Sequence, residues 1–193
     1  MTAIDVTDPA AGVAAPQRPA LAVMVARLTT GKAKYKDVEE ECWQAIEKGE
    51  ELRKKLTEAI ELDAKSFEGI LIARRLPRDT EENSQIREDA IMQASFAAAE
   101  VPLNSAAMCL QVMKLALRMA QIGNLNAISD AASGVFQARA GLEAAFLNVE
   151  INLLGYENET VAAGLLRDAR DLRQESEGIL TELKTLLKSR AGL

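Results

Sequence analysis

Apolar residues recur at helical spacing along nearly the whole chain beyond residue 18. No stretch alternates Val, Ile, Thr and aromatic residues at the period of two that a half-buried strand requires. The pattern predicts a short apolar helix from Pro19 to about Leu28, ended by Thr29-Thr30-Gly31. A long amphipathic helix follows from Tyr35 to Arg75 and stops at Leu76-Pro77. The next begins at Asp79 or Thr80 as N-cap, is expected to kink or break at Pro102, resumes to Ile122 and closes at Gly123. Another runs from about Asn126–Ser129 to Leu154, and a last one from about Glu159 to Lys188. Long helices joined by short loops predict an all-α fold, an antiparallel bundle of long helices in one domain over residues 19–193. Residues 1–18, with Pro9 and Pro16 among small residues, read as a loose N-terminal arm.

One residue breaks the pattern. Leu56, Ile60, Phe67 and Ile70 draw the apolar stripe of the long helix, and Asp63 falls in the middle of it, while Lys54, Lys55 and Glu61 point elsewhere. A carboxylate on such a face costs several kcal/mol unless it is paired, hydrogen-bonded or neutralised. The usual result is a raised pKa, which is also what a general acid or base needs near neutrality. A buried aspartate that pairs with or caps a neighbouring helix fits the same pattern.

The helix after Gly123 carries two faces. Ile128, Val135, Leu142, Phe146, Val149 and Leu153 form a core stripe; Ala131, Gly134, Ala138, Gly141 and Ala145 form a stripe of small residues. The small stripe allows close approach of a partner helix, a second subunit or a flat ligand. Asn124, Asn126, Ser129 and Asp130 border it at one end and Asn148 and Asn152 at the other, adding hydrogen-bonding capacity that favours a ligand. N-capping accounts equally for Asn126, Ser129 and Asp130.

Composition narrows the chemistry. The 193 residues are 48% hydrophobic and only 4% aromatic, with a net charge of −6, so a nucleic-acid partner is not expected. There is no histidine, which leaves acid–base work to carboxylates and removes the Glu-x-x-His pairs of bundle metal sites. Gly31-Lys32 lacks the upstream glycine of a phosphate loop, and neither a Gly-x-Ser-x-Gly elbow nor a nucleotide-binding glycine fingerprint is present. Cys42 and Cys109 stand at no metal-ligand spacing and read as reduced thiols. With no apolar run long enough for a membrane span and no signal-peptide pattern, a cytoplasmic protein without a membrane partner is expected.

Six blocks in order carry a resemblance: Met24 to Tyr35; Asp63-Ala64-Lys65-Ser66-Phe67; Leu76 to Glu82; Val101-Pro102-Leu103; Gly123 to Asp130; and Leu147 to Leu153. The series resembles the cyclodeaminase domain of formiminotransferase-cyclodeaminase and the related stand-alone methenyltetrahydrofolate cyclohydrolases. The resemblance implies a helical homodimer acting on tetrahydrofolate derivatives without a metal or other cofactor. It implies Asp63 as catalytic acid/base, and Asn126, Ser129, Asp130, Asn148 and Asn152 near the folate. Lys34, with Lys32 and Lys36, is a candidate for the glutamate tail, or belongs to a solvated cluster. Cyclodeaminase chemistry is the first expectation and cyclohydrolase chemistry the alternative. The family's Pro-Gly-Gly-Gly-Ser segment has no counterpart here, where the chain reads Asp8 to Pro19 with Pro16 and no glycine triplet. That departure leaves a non-catalytic, folate-binding helical dimer as a further alternative.

Overall fold

The computed structural model describes residues 18–193, so nearly all of the N-terminal arm, residues 8–17 included, lies outside the described residues. Among the described residues five α-helices make the fold: α1 (Arg18–Thr29), α2 (Glu39–Arg74), α3 (Glu81–Ile122), α4 (Ile128–Asn152) and α5 (Thr160–Ala191). Short 3-10 turns at Ala33–Val38 and Leu125–Ala127 lead into α2 and α4. Among the described residues there is no strand, and the all-α expectation holds.

The central helix is α3, which packs on all four others and most extensively on α4. Ion pairs fix the directions. Glu41 at the start of α2 meets Arg118 near the end of α3, which makes these two helices antiparallel. The pairs Lys114–Glu175 and Gln121–Glu182 run α5 alongside α3 in the same direction. On α4, Arg139 pairs with Glu177, and Arg173 of α5 pairs with Glu143, so these two are again antiparallel.

All six residues of the predicted core stripe are buried as expected, with Val135, Leu142, Val149 and Leu153 at 0% exposure. The small stripe is a packing seam at Gly134. A Cβ there would lie 3.3 Å from Ala116 Cβ on α3 and 3.4 Å from Leu21 Cβ on α1. Closeness of three helices explains the small residues, so the stripe itself is not a ligand groove at that position.

The α3–α4 corner is stapled from three sides. Thr29 Oγ1 accepts from the Asn124 N–H (2.9 Å), the Asn124 side chain donates to the Leu28 carbonyl, and Tyr35 Oη accepts from the Leu125 N–H. From α5, Arg190 donates to the Gly123 carbonyl (2.8 Å) and to that of Ala120. Gly123 has no room for a side chain: a Cβ would stand 2.6 Å from the Met119 carbonyl oxygen and 3.0 Å from Val25 Cγ1. Gly123→Ala is therefore expected to destabilise the protein by about 1–3 kcal/mol, seen as a lower midpoint in chemical denaturation.

The break expected at Pro102 is absent; α3 is continuous from Glu81 to Ile122. A proline at this position lacks the N–H that would bond the carbonyl four residues back, which is Ala98. That carbonyl accepts instead from Asn152 Nδ2 of α4, at 3.1 Å. The neighbouring Val101 carbonyl accepts from Ser105 Oγ. Asn152 thus restores, from another helix, the hydrogen bond that Pro102 cannot make. Thr80 caps α3 as predicted, its hydroxyl accepting from the Asn83 N–H.

Candidate functional site

The stripe that carries Asp63 is not fully covered. Leu56 and Ile70 are buried, but Phe67 is 45% exposed. The result is an open cavity of about 610 Å³ between α2, α3 and α4. Asp63, Ser66, Phe67, Ile70 and Arg74 form its α2 wall, and Ile91, Ser95 and Ala98 its α3 wall. From α4 come Leu147, Asn148, Ile151 and Asn152, with Tyr156 closing one end. Tyr156 is held edge-on against the Phe96 ring at 5.8 Å.

Asp63 is half-buried, and burial pushes its carboxyl above the ordinary aspartate value of 3.8. No side-chain hydrogen bond or ion pair with another described residue offsets that desolvation; the Ser66 hydroxyl donates to the backbone carbonyl of Asp63, not to its carboxyl. The reading of Asp63 as a paired structural acid therefore loses its support. An unpaired, desolvated carboxyl at a cavity wall is poised to take and return a proton.

The two asparagines of α4 are oriented by their own bonds. Asn148 Nδ2 donates to the Ala144 carbonyl and Asn152 Nδ2 to that of Ala98. With both amide nitrogens engaged, the amide oxygens remain as acceptors, one helical turn apart on the cavity wall. Ser95 is 6% exposed, lines the same cavity and makes no hydrogen bond with another described residue. Its hydroxyl adds a donor and acceptor facing the interior.

The structure brings together Asp63, Asn148 and Asn152 and separates them from the other predicted residues. Asn126, Ser129 and Asp130 stand at the start of α4, about 27 Å along the axis from Asn148 to Asp130. Lys34 lies in the turn before α2, at the far end of that helix from Asp63. None of these four lines the cavity. Ser95, Arg74 and Tyr156 were not expected from the sequence. Arg74 was readable, since Asp63, Phe67, Ile70 and Arg74 follow the 3–4 spacing of one helix face.

A family model described as Formiminotransferase-cyclodeaminase matches residues 9–171. The chain is 37% identical to a methenyltetrahydrofolate cyclohydrolase of Methylorubrum extorquens, over 94% of this chain and 87% of that protein. The chain belongs to the formiminotransferase-cyclodeaminase family. Within that family it is also 30% identical to the formimidoyltransferase-cyclodeaminase of Sus scrofa, over 86% of this chain but only 29% of the longer pig protein. The crystal structure of a formiminotetrahydrofolate cyclodeaminase from Thermotoga maritima superposes with a TM-score of 0.78 at 28% identity. That match covers 90% of this chain and 83% of the other. The helical bundle is therefore shared with that structure rather than a peculiarity of this sequence.

Proposed function

We propose that this chain is a folate one-carbon enzyme that interconverts 5,10-methenyltetrahydrofolate and 10-formyltetrahydrofolate in the α2–α3–α4 cavity. The observation that carries the reading is the unpaired, desolvated carboxyl of Asp63 on the cavity wall. The cyclohydrolase reaction is placed first because the relative bearing that activity matches this chain over nearly the full length of both. The Thermotoga structure supports a second reading, formiminotetrahydrofolate cyclodeaminase.

Both reactions pass through a tetrahedral carbon between N5 and N10, and one carboxyl group serves either. In the hydrolysis, water adds to the methenyl carbon while its proton passes to the Asp63 carboxylate. The carbon–N5 bond then breaks as the new hydroxyl releases its remaining proton to solvent and becomes the formyl oxygen; the electron pair stays on N5, and Asp63 returns its proton there, leaving the formyl group on N10. In the deamination, N10 attacks the carbon of the protonated formimino group, whose nitrogen becomes an NH2 group, and gives its own proton to Asp63. The same carboxyl then protonates the departing nitrogen, which leaves as ammonia because the amide anion cannot. Neither balance calls for a redox or metal cofactor. The acceptor oxygens of Asn148 and Asn152 suit the N–H edge of a reduced pterin, and Phe67 and Ile151 supply apolar walls for its ring.

We further infer a cytoplasmic homodimer. Leu147, Ile151 and Leu154, each more than 60% exposed at the end of α4 and in the turn after it, leave apolar surface at the rim of the cavity that a second copy would cover. Cys42 and Cys109 are buried and form no disulfide, which fits a reducing compartment. Asn126, Ser129, Asp130 and Lys34 would reach a folate only from such a second copy, a proposal that sedimentation of the purified protein tests at its first step.

The activity is tested by mixing purified protein with 5,10-methenyltetrahydrofolate and following its near-ultraviolet absorbance. Decay faster than in buffer is expected. Ammonia release from 5-formiminotetrahydrofolate, without that decay, would instead establish the deaminase. Absence of both would leave only a binding role.

A further inference from the structure

One buried hydroxyl in the cavity has no partner within the fold. Among the described residues the buried polar side chains are Thr29, Ser95, Ser105, Asn124 and Ser176. Thr29, Ser105, Asn124 and Ser176 donate to the carbonyls of Val25, Val101, Leu28 and Arg173. Ser95 alone of these makes no hydrogen bond with another described residue. A helical serine ordinarily turns its hydroxyl to a carbonyl three or four residues back, as Ser66, Ser105 and Ser189 do here. No side-chain oxygen among the described residues is both sealed from solvent and without a partner. The Ser95 hydroxyl therefore opens onto the cavity that the residue lines.

Packing does not explain that hydroxyl. A close helix contact needs only a small side chain, which Ala98 and Ala99 supply on the same helix without desolvating a polar group. The Glu41–Arg118 pair and the Arg87 bond to the Arg74 carbonyl bracket the antiparallel crossing of α2 and α3. Interpolated between them, Ser95 is level with residues 64–66, about 3 Å along the axis from Asp63. Asn152, bonded to the Ala98 carbonyl, stands one turn further along α3. The Ser66 hydroxyl is occupied by the Asp63 backbone carbonyl, and Arg74 lies about 16 Å along α2 from Asp63. Asp63 and Ser95 thus share one level of the bundle, on adjoining walls of the cavity.

Resting on the reading of the cavity as a folate hydrolase, we propose that the Ser95 hydroxyl holds the attacking water on the α3 side while Asp63 holds it on the α2 side. The water gives one hydrogen bond to the Asp63 carboxylate and the other to Ser95 Oγ, leaving a lone pair for the methenyl carbon. As the carbon–oxygen bond forms, the carbon–nitrogen double bond gives its electron pair to nitrogen and Asp63 takes the first proton. The second hydrogen stays on the new hydroxyl, still bonded to Ser95, and is released when the carbon–N5 bond breaks and the formyl oxygen forms. Ser95 keeps its own proton throughout and makes no covalent bond. A water held by a carboxylate alone swings about that one contact; the second contact fixes the direction of attack.

The test compares wild type with Ser95→Ala in the full chain, with 5,10-methenyltetrahydrofolate as substrate. The variant's kcat is expected to fall about ten- to hundredfold while KM stays unchanged, because the water is not among the contacts that bind the folate. The acid limb of the pH–rate profile, set by Asp63, should keep its midpoint, since Ser95 acts on the water and not on the carboxyl. The thermal midpoint should equal or exceed that of wild type, because alanine removes an unpartnered hydroxyl and favours the helix. An unchanged kcat overturns the assignment and leaves the hydrolase standing. So does a rise in KM alone, which would make Ser95 a folate contact. A lowered thermal midpoint together with a shifted acid limb marks a structural role and also overturns it. A wild type that does not hydrolyse the substrate overturns the hydrolase reading and the Ser95 assignment together.

Discussion

Asp63→Asn is expected to lower turnover by about 10²- to 10⁴-fold, the range of a positioned acid–base group, while leaving the fold intact. The same substitution should leave thermal stability at neutral pH equal to or above that of wild type. Burial raises the Asp63 carboxyl in the folded state, so the folded protein holds that proton more tightly than the unfolded chain does. Stability from this group therefore falls as pH rises from the ordinary value of 3.8 through the elevated folded value, and stays lower above it. Asparagine fills the same volume without the charge and escapes that loss. A catalyst that costs its own fold stability is what loss of rate with gain of melting temperature would reveal. Loss of both together would mark Asp63 as a structural residue instead. The acid limb of kcat/KM should also rise with pH through the elevated pKa, and because the chain has no histidine, no imidazole can produce that limb. Its absence in Asp63→Asn, measured on the residual rate, completes the assignment.

The second large effect is a coupling between two residues fifty positions apart in sequence, Pro102 and Asn152. Asn152→Ala is expected to cost about 1–3 kcal/mol, because it strands the Ala98 carbonyl without a donor. Placed in a Pro102→Ala background, the same change should cost far less, since residue 102 then supplies the N–H itself. Chemical denaturation of the two single variants and the double variant closes the thermodynamic cycle. Activity separates the two roles of the side chain. The double variant should recover stability but not KM, because the acceptor oxygen facing the cavity is still missing. Equal cost in both backgrounds would mean that Asn152 does not answer the proline.

Pro102 also shows where sequence reading falls short. Its effect on a helix in isolation is a break, and only a donor from α4 removes that penalty; nothing within α3 announces it. The helices themselves were legible because periodicity, Thr80, Gly123 and Leu76-Pro77 act locally, so their ends fell within a few residues of those observed. Asp63 was legible for the same reason, as a charge at odds with its own helix face. The grouping of site residues was not. Six polar positions flank one stripe of α4 in sequence, yet a rigid helix holds Asp130 and Asn148 at opposite ends of the bundle. Ser95 and Tyr156 enter the cavity through helix crossings that no single stretch encodes.

The clasp of Arg190 on the Ala120 and Gly123 carbonyls divides the molecule's exchange behaviour. Those carbonyls close the C-terminal turn of α3, and their donor comes from the last turn of α5, at the end of the bundle away from Asp63. Shortening α5 by a single turn would release that turn to solvent, while Thr29, Leu28 and Tyr35 still held the corner at Asn124. Amide hydrogens there would exchange rapidly while those of α2 and α4 around the cavity kept their protection. The bundle can thus fray at one end and keep its cavity intact at the other.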